Sequence, residues 1–115
     1  MVNRISLVLT IFLLPALFLF AAQDTPDSAA GAAAYKTKCL TCHGADGSGN
    51  TPVGKSLKVA DLRSDPVQKK SDDELAQSIA EGKGNMPSFK NSTSADQIKA
   101  LVAHIRSLAA KKKAD

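Results

Sequence analysis

The feature that most constrains this chain is the pentapeptide "CLTCH" at residues 39–43. It contains both cysteines of the 115-residue sequence, Cys39 and Cys42, and one of its two histidines, His43, follows at once. A disulfide between cysteines this close would close a very small loop and add little stability. The pattern therefore predicts a chemical role for these three side chains rather than a structural crosslink.

An apolar segment precedes the rest of the chain. Within residues 1–22, the stretch 5–22 reads "ISLVLTIFLLPALFLFAA" and has no charge. This pattern predicts a secretory signal peptide. A membrane anchor is the alternative, because the stretch is long enough to span a bilayer and Phe20 stands where signal cleavage favours a small residue. Both readings imply export, with a short linker over 23–30 and one domain over 31–115.

The part of the chain after residue 22 has few large apolar side chains. Its aromatic residues are Tyr35 and Phe89, because the other three lie within the apolar segment. Domains this small, with so little apolar mass, usually depend on disulfides, a metal or a bound group. We therefore expect a bound group to fill the interior, and the chain to be largely unfolded without it.

Two capping boxes mark the clearest helices. Ser71 is followed three residues later by Glu74, and Ser94 by Gln97. In each pair the two side chains can satisfy free N–H groups of the first helical turn. Apolar residues at the helical period follow each box, and no segment shows the sustained alternation of a strand. The sequence therefore predicts an all-α fold.

The segments on either side of the pentapeptide are less regular. The stretch "AAGAAAYKTKC" has helix-forming composition. It could begin a helix near Ser28 that carries Tyr35 and Cys39 on one face. Residues 44–57 contain four glycines and one proline, which predicts a loop. A second loop is expected at "NMPSFKNST".

Three kinds of site use a Cys-x-x-Cys pair. A redox disulfide of the thioredoxin kind belongs next to a βαβ unit, and no strand is predicted here. A structural zinc site needs four protein ligands, and outside the pentapeptide only His104 and carboxylates remain. Cys-x-x-Cys-His is the pattern of covalent c-type haem attachment. Cys39 and Cys42 can form thioethers with the two vinyl groups of a porphyrin, and His43 can then ligate its iron.

A six-coordinate haem iron requires a second axial ligand. After residue 22 the sequence offers one methionine, Met86, and one further histidine, His104. Met86 lies in a predicted loop, and Pro87 would stiffen the backbone that presents its sulfur. His104 lies among apolar residues of the last helix, where a packed side chain is the simpler role. His43 and Met86 are therefore the predicted ligands, and a gap-filling role for Met86 is the alternative.

The order of these features resembles the class I cytochromes c of the small bacterial monohaem type. The resemblance runs from Gly31 to Ala110 and rests on "GAAAYKTKCLTCHG", "GKSL", "DELAQSIAEGKGNMPSF" and "LVAHIRSL". It implies the cytochrome c fold, with three to five helices around one covalently bound haem c and crossing N- and C-terminal helices. In that fold Gly31 and Tyr35 would meet Leu101 and His104.

The chain departs from this family at two places. Family members usually have an aromatic residue where this chain has His104, so the helix contact becomes less apolar. They also often carry Gly-Pro-x-Leu after the haem motif, and a carbonyl of that stretch accepts a hydrogen bond from Nδ1 of the proximal histidine. Here residues 54–57 read "GKSL". Leu57 is still expected to pack on the haem, whereas the carbonyl that bonds to His43 stays open.

The two axial ligands imply a function. With His43 and Met86 on the iron, no position is open to a substrate, so electron transfer is expected rather than catalysis. The sequence predicts a monomeric periplasmic carrier between a redox donor and a redox acceptor, such as respiratory or dehydrogenase complexes. Two alternatives stay open. One is a haem c subunit of a larger oxidoreductase, and the other is a haem sensor or peroxidase in which Met86 is displaced.

Charge is less informative about partners. The whole chain has a formal net charge of +4, and the basic end at Lys111 to Lys113 is explained as a solvated helix end. The alternative is that four other lysines surround the exposed haem edge and steer it to an acidic partner. They are Lys36, Lys38, Lys83 and Lys90. No nucleic-acid partner is expected, because no basic patch is interleaved with aromatic residues. A membrane is a partner only if the N-terminal segment is retained.

Overall fold

The structure is a computed structural model that describes residues 26–115, so the signal peptide or anchor predicted over 1–22 lies outside the described residues. Within residues 26–115 the chain forms six helical segments and no β-strand, which confirms the predicted all-α fold. The helices are α1 (Pro26–Lys38), α2 (Leu40–His43), α3 (Pro52–Leu57), α4 (Asp65–Gln68), α5 (Asp72–Glu81) and α6 (Ala95–Ala114). None of the helices in the described part of the chain has the length and apolar character that crossing a bilayer requires.

The described chain has one helical segment more than the three to five expected, because α2 and α4 are short turns and α3 lies where a loop was predicted. The loop prediction for residues 44–57 was therefore wrong over this helix. Thr51 is the N-cap of α3, and its Oγ1 accepts a hydrogen bond from the Gly54 N–H at 2.8 Å. Pro52 occupies the start of the helix, where a missing N–H costs nothing. These local signals outweigh the glycine content of the segment.

The N-terminal helix begins earlier than expected. α1 starts at Pro26, within the segment 23–30 that the sequence favours as a linker, and Ser28 is already buried. Residues 26–30 therefore belong to the helix that packs on the rest of the domain.

The contact between α1 and α6 is confirmed. A Cβ on Gly31 would collide with the backbone carbonyl of Ala100, so only glycine allows the two helices to approach this closely. Tyr35 is 2 % exposed, and its ring centroid lies 4.8 Å from that of His104 with the rings tilted by 54°. His104 thus supplies a ring at the position where the resemblance leads one to expect an aromatic residue.

Both predicted capping boxes are present. The Ser71 hydroxyl accepts from the Glu74 N–H at 3.1 Å, and the Ser71 N–H donates to the Glu74 carboxylate at 2.7 Å. Ser94 and Gln97 make the same pair of bonds, each at 3.2 Å. They start α5 and α6, whose buried faces meet α1 in a small core. The buried members of this core are Tyr35, Val67, Leu75, Ile79, Ile98, Leu101, Val102, Ile105 and Leu108.

Candidate functional site

The pentapeptide consists of Cys39 and α2, and helical hydrogen bonds join it to the end of α1. The Cys39 N–H donates to the Tyr35 carbonyl at 2.9 Å, and the His43 N–H donates to the Cys39 carbonyl at 2.9 Å. Cys39 and His43 therefore lie about one helical turn apart on one continuous path. Both Cys39 and Cys42 are free thiols and partly exposed.

Tertiary hydrogen bonds fix the backbone on both sides of His43. The buried Tyr35 hydroxyl donates to the Gly44 carbonyl at 2.7 Å. On the other side, the Thr51 hydroxyl lies 2.9 Å from the Thr41 carbonyl and 3.0 Å from the Cys42 carbonyl, and its hydrogen is shared between them. Since Thr51 also caps α3, the same residue links the histidine turn to the next helix. The position of His43 is therefore set by α1, α2 and α3 together.

Met86 lies in a tight loop after α5. The Met86 N–H donates to the Lys83 carbonyl at 3.0 Å, and the Lys83 N–H donates back to the Met86 carbonyl at 3.1 Å. Gly82 ends α5 with φ +76°, and a Cβ there would lie 2.5 Å from the Met86 carbonyl oxygen. The Phe89 N–H reaches the Ala80 carbonyl at 3.2 Å. The loop is thus folded back onto the end of α5, and Met86 packs partly against the core.

Three adjoining cavities lie between the histidine turn and the methionine loop, and His43 and Met86 line all three. The first is also lined by Cys39, Cys42 and Leu57. The structure therefore brings all five predicted cofactor-binding residues to one cavity. His104, the other histidine, lies at the contact with α1 instead.

The other two cavities extend from the same pair of residues. One runs towards the core, where Tyr35, Leu75 and Leu101 line it. The other has a volume of about 370 Å³ and reaches Val67 and Lys70. Most of these lining residues could not be selected from the sequence, because long-range packing brings them to the cavity. Tyr35 is the exception here and Phe89 in the first cavity, since they are the two aromatic residues after residue 22.

The imidazole of His43 is partly buried, in the way that suits a neutral ligand. Burial lowers the pKa of His43 below its ordinary value, and the backbone carbonyl of Ala60 opposes this effect. At neutral pH the ring is therefore uncharged, which is the form that binds metals. Nδ1 is buried and has no hydrogen-bond partner among the described residues.

The carbonyl expected from residues 54–57 makes no hydrogen bond to His43. The Gly54 carbonyl accepts instead from the Val59 N–H at 3.0 Å. The N–H of Lys58 reaches the Gly54 and Lys55 carbonyls at the end of α3. These carbonyls are used by the C-cap of α3, which lies where a loop was predicted. Ala60, just beyond that cap, is the residue whose carbonyl raises the pKa of the His43 imidazole, against the larger effect of burial.

The Cys39 thiol has the character of an apolar side chain rather than of a metal ligand. Burial raises the pKa of Cys39 to about 11. At neutral pH this thiol is therefore protonated, whereas thiolate is the form that binds metals. Among residues 26–115 no group of three or more His, Cys, Asp or Glu side chains is arranged to hold a metal ion.

The side chains around the cavities fit a haem. Two thiols, a neutral imidazole and a thioether face one mainly apolar space. The buried Nδ1 is the nitrogen expected to bond to a backbone carbonyl, so an iron would be bound by the other ring nitrogen, Nε2. Much of the surrounding wall is aliphatic or aromatic, as a large apolar macrocycle requires. These residues therefore fit haem c.

The chain is similar to known proteins. Residues 26–105 match the protein family described as cytochrome c oxidase, cbb3-type, subunit III. Cytochrome c6 of Leptolyngbya boryana is 33% identical over 79 residues, which cover 69% of this chain and 89% of the relative. Cytochrome c6 of Rippkaea orientalis is 29% identical over 105 residues, covering 91% of this chain and 92% of the relative.

A solved structure agrees with these relatives. The KustC0563 c-type cytochrome matches with a TM-score of 0.62 and 34% identity, covering 68% of this chain and 95% of its own. The chain belongs to the class I c-type cytochromes, within the family whose model it matches. Membership implies haem c as the cofactor and electron transfer as the role.

Proposed function

We propose that this chain is an exported electron carrier in which one haem c is attached to Cys39 and Cys42 and ligated by His43 and Met86. The observation that carries the proposal is that these four side chains, together with Leu57, line a single cavity. A His/Met-ligated c-type haem requires two thiols for attachment, and an imidazole and a thioether as iron ligands. The α1–α2 segment contributes the first three and the loop after α5 contributes the fourth.

Each side chain has a definite task in this proposal. The haem, when bound, supplies a one-electron couple at its iron. His43 is uncharged at neutral pH and presents a nitrogen from a turn fixed by tertiary hydrogen bonds. Met86 presents a soft sulfur, and methionine in place of a second histidine raises the reduction potential. Leu57 and Phe89 line the cavity that holds the cysteines and would pack on the haem.

The proposed role is that of a carrier rather than an enzyme. The proposal is supported by His43 and Met86 lining the same cavities from two different segments, since the chain itself would then supply both axial ligands. A role as a sensor or peroxidase would instead require Met86 to leave the haem iron. Binding of carbon monoxide by the native reduced protein at neutral pH separates the two roles, since an intact sixth ligand excludes it.

A second candidate is a haem c subunit of a larger oxidoreductase. The description of the matching family, which names an oxidase subunit, favours it. The chemistry at the site would be the same, but the partner would be fixed. Purification from the native host separates the candidates, because a carrier elutes as a small monomer and a subunit elutes with its complex.

The partner surface is proposed to be basic. Lys36 and Lys83 are exposed. Lys38 lines the cysteine cavity, and its ammonium donates to the Ser92 carbonyl at 3.2 Å. Lys90 forms an ion pair with Glu81 at 2.9 Å, so its charge is largely compensated. Steering of an acidic redox partner would thus rest on the first three lysines, and association rates should fall as ionic strength rises.

The proposed location is the periplasm, with residues 1–22 serving as the cleaved signal or as an anchor to the inner membrane. The donor and the acceptor are proposed to be redox proteins such as respiratory or dehydrogenase complexes. Their identity would follow from kinetic tests with candidate partners, in which the reduced protein should be oxidised rapidly by its true acceptor.

Substitution of Met86 tests the ligation directly. In Met86→Ala the weak far-red absorption band of methionine–iron ligation should disappear, and the reduced protein should bind carbon monoxide. Met86→His is the matched control. It should also lose the band, yet it should remain low-spin, exclude carbon monoxide and show a lower reduction potential, because imidazole replaces thioether. An unchanged band and potential in Met86→Ala would show that another group is the ligand.

A further inference from the structure

The cavity of about 370 Å³ has a basic end. Lys58, Lys70 and Lys83 line it together with His43 and Met86, whereas neither cysteine does. Among the described residues, none of the side chains that line this cavity is acidic. The same cavity is therefore lined by the two predicted iron ligands and by three ammonium-bearing side chains, which we call its basic end, and by neither thiol. This concentration of positive charge suits an anionic group.

Lys70 is the most firmly placed of the three lysines. It is partly buried, whereas Lys58 and Lys83 are exposed. The Lys70 N–H donates to the carbonyl of the buried Val67 at 3.1 Å. Its own carbonyl accepts a hydrogen bond from Nη2 of Arg106 at 2.6 Å. The backbone that carries this ammonium is therefore tied to both α4 and α6.

Arg106 fixes the whole connection between α4 and α5. Its Nη1 donates to the Gln68 carbonyl at 2.9 Å. Its Nε and Nη2 donate to the Asp72 carboxylate at 3.0 and 2.8 Å. One guanidinium thus binds three successive points between residues 68 and 72. A connection held in this way presents the Lys70 side chain from a defined position.

The charges that face Lys70 leave this end of the cavity positive. Glu74 on α5 is the acid whose pKa Lys70 helps to lower, after the hydrogen bonds from Ser71. That carboxylate is exposed and accepts the Ser71 N–H at 2.7 Å. Asp72 is bound to Arg106. Lys58 from the end of α3 and Lys83 from the methionine loop add further positive charge.

We propose that this basic end binds the two propionate carboxylates of the haem, with Lys70 as their principal partner and Lys58 as the second. Haem carries its vinyl groups on one edge and its propionates on the opposite edge. Attachment to Cys39 and Cys42 would fix the vinyl edge, so the carboxylates would extend towards the lysines. This inference rests on the proposed function, because it requires thioether attachment at the cysteines. Charge-assisted bonds between ammonium and carboxylate are strong where water is partly excluded.

The proposal has a measurable consequence at the iron. A positive charge held close to the haem disfavours the ferric state, which carries one positive charge more than the ferrous state. Neutralising Lys70 should therefore lower the reduction potential. Neutralising a lysine that does not line the cavity should lower the reduction potential less, because water and salt screen its charge.

The experiment uses the haem-loaded protein at fixed pH and ionic strength. Lys70→Met is compared with Lys69→Met, which removes the same charge from the neighbouring exposed residue. Lys70→Met should lower the potential more than Lys69→Met and should shift the propionate bending band in resonance Raman spectra. Lys70→Arg should restore both the potential and the band. If Lys70→Met yields no folded protein, Lys58→Met against Lys55→Met gives the same test at α3.

Two outcomes would overturn separate parts of the proposal. Equal shifts in Lys70→Met and Lys69→Met, with an unchanged propionate band, would overturn the assignment of Lys70 while leaving the His/Met haem intact. Wild-type protein without covalently bound haem, or without the far-red methionine band, would instead overturn the proposed function on which the assignment rests.

Discussion

The two segments that face the cavity are built in different ways. His43 lies at the end of a helix that continues from α1, and side chains from Tyr35 and Thr51 hold the backbone around it. Met86 lies in a loop that is held by its own hydrogen bonds to Lys83 and by the end of α5. The backbone around His43 is thus held by side chains from two other segments. The loop around Met86 is held mainly by the end of α5.

This difference predicts where the site yields first. Local opening is least costly where backbone hydrogen bonds are few and exposed. The loop around Met86 meets that description, since Gly84, Asn85 and Pro87 are exposed. The turn that carries His43 does not, because the bond from Tyr35 to Gly44 is buried. Loss of Met86 from the proposed haem iron should therefore precede loss of His43 under mildly destabilising conditions.

The largest effect is expected when the proposed haem attachment is removed, because the haem would then no longer fill the space between the two segments. In the double variant Cys39→Ala/Cys42→Ala the chain should lose most of its helicity, because the small core would lack its central apolar group. Far-ultraviolet circular dichroism measures this. Thr41→Ala, between the two cysteines and exposed, is the control and should retain native helicity. Native helicity in the double variant would contradict this prediction.

A smaller effect is expected at the start of the methionine loop. Gly82→Ala should destabilise the haem protein by about 1–3 kcal/mol, because it combines a positive φ with a collision at the Met86 carbonyl. Gly84→Ala is the control, since Gly84 also has positive φ but a Cβ added there would have no neighbour within 4 Å. Only Gly82→Ala should weaken the far-red band and admit carbon monoxide. Equal behaviour of the two variants would show that Met86 does not depend on this contact.

The smallest effect is expected on the histidine side. Thr51→Val removes the cap of α3 and the bond to the Cys42 carbonyl, and should cost about 1 kcal/mol in denaturant unfolding of the haem protein. Thr51→Ser keeps both bonds and should be close to wild type. The far-red band should persist in both variants, because Met86 lies on the other side of the cavity. Loss of the band in Thr51→Val would mean that the two sides are coupled more tightly than their separate contacts indicate.

Local patterns in the sequence were enough to predict much of the fold. The capping boxes at Ser71 and Ser94 depend on residues three apart, so they could be found without knowledge of distant contacts. α3 was not predicted, because the surrounding glycines favour a loop. Thr51, its N-cap, and Pro52, its first residue, are the local signals that indicate a helix there. The glycine at position 54 serves close packing on the Cys42 carbonyl rather than chain flexibility.

The site divides in the same way. The cysteines, His43 and Met86 could be selected by residue type and spacing, because few residues in the chain have their chemistry. The basic end of the cavity could not be found, since Lys70 is one of many lysines and its position depends on Arg106, which is 36 residues away. The carbonyl of Ala60 was missed for the same reason. Its relation to His43 depends on where α3 ends.

The central claim is that one haem is bonded to both thiols and occupies the space between His43 and Met86. The most direct test is the intact mass of the protein purified from a host able to mature c-type cytochromes, with thiol alkylation of the same sample. The expected result is the chain mass increased by that of one haem, with neither Cys39 nor Cys42 open to alkylation. A colourless protein of unmodified mass, in which both thiols react, would contradict the claim.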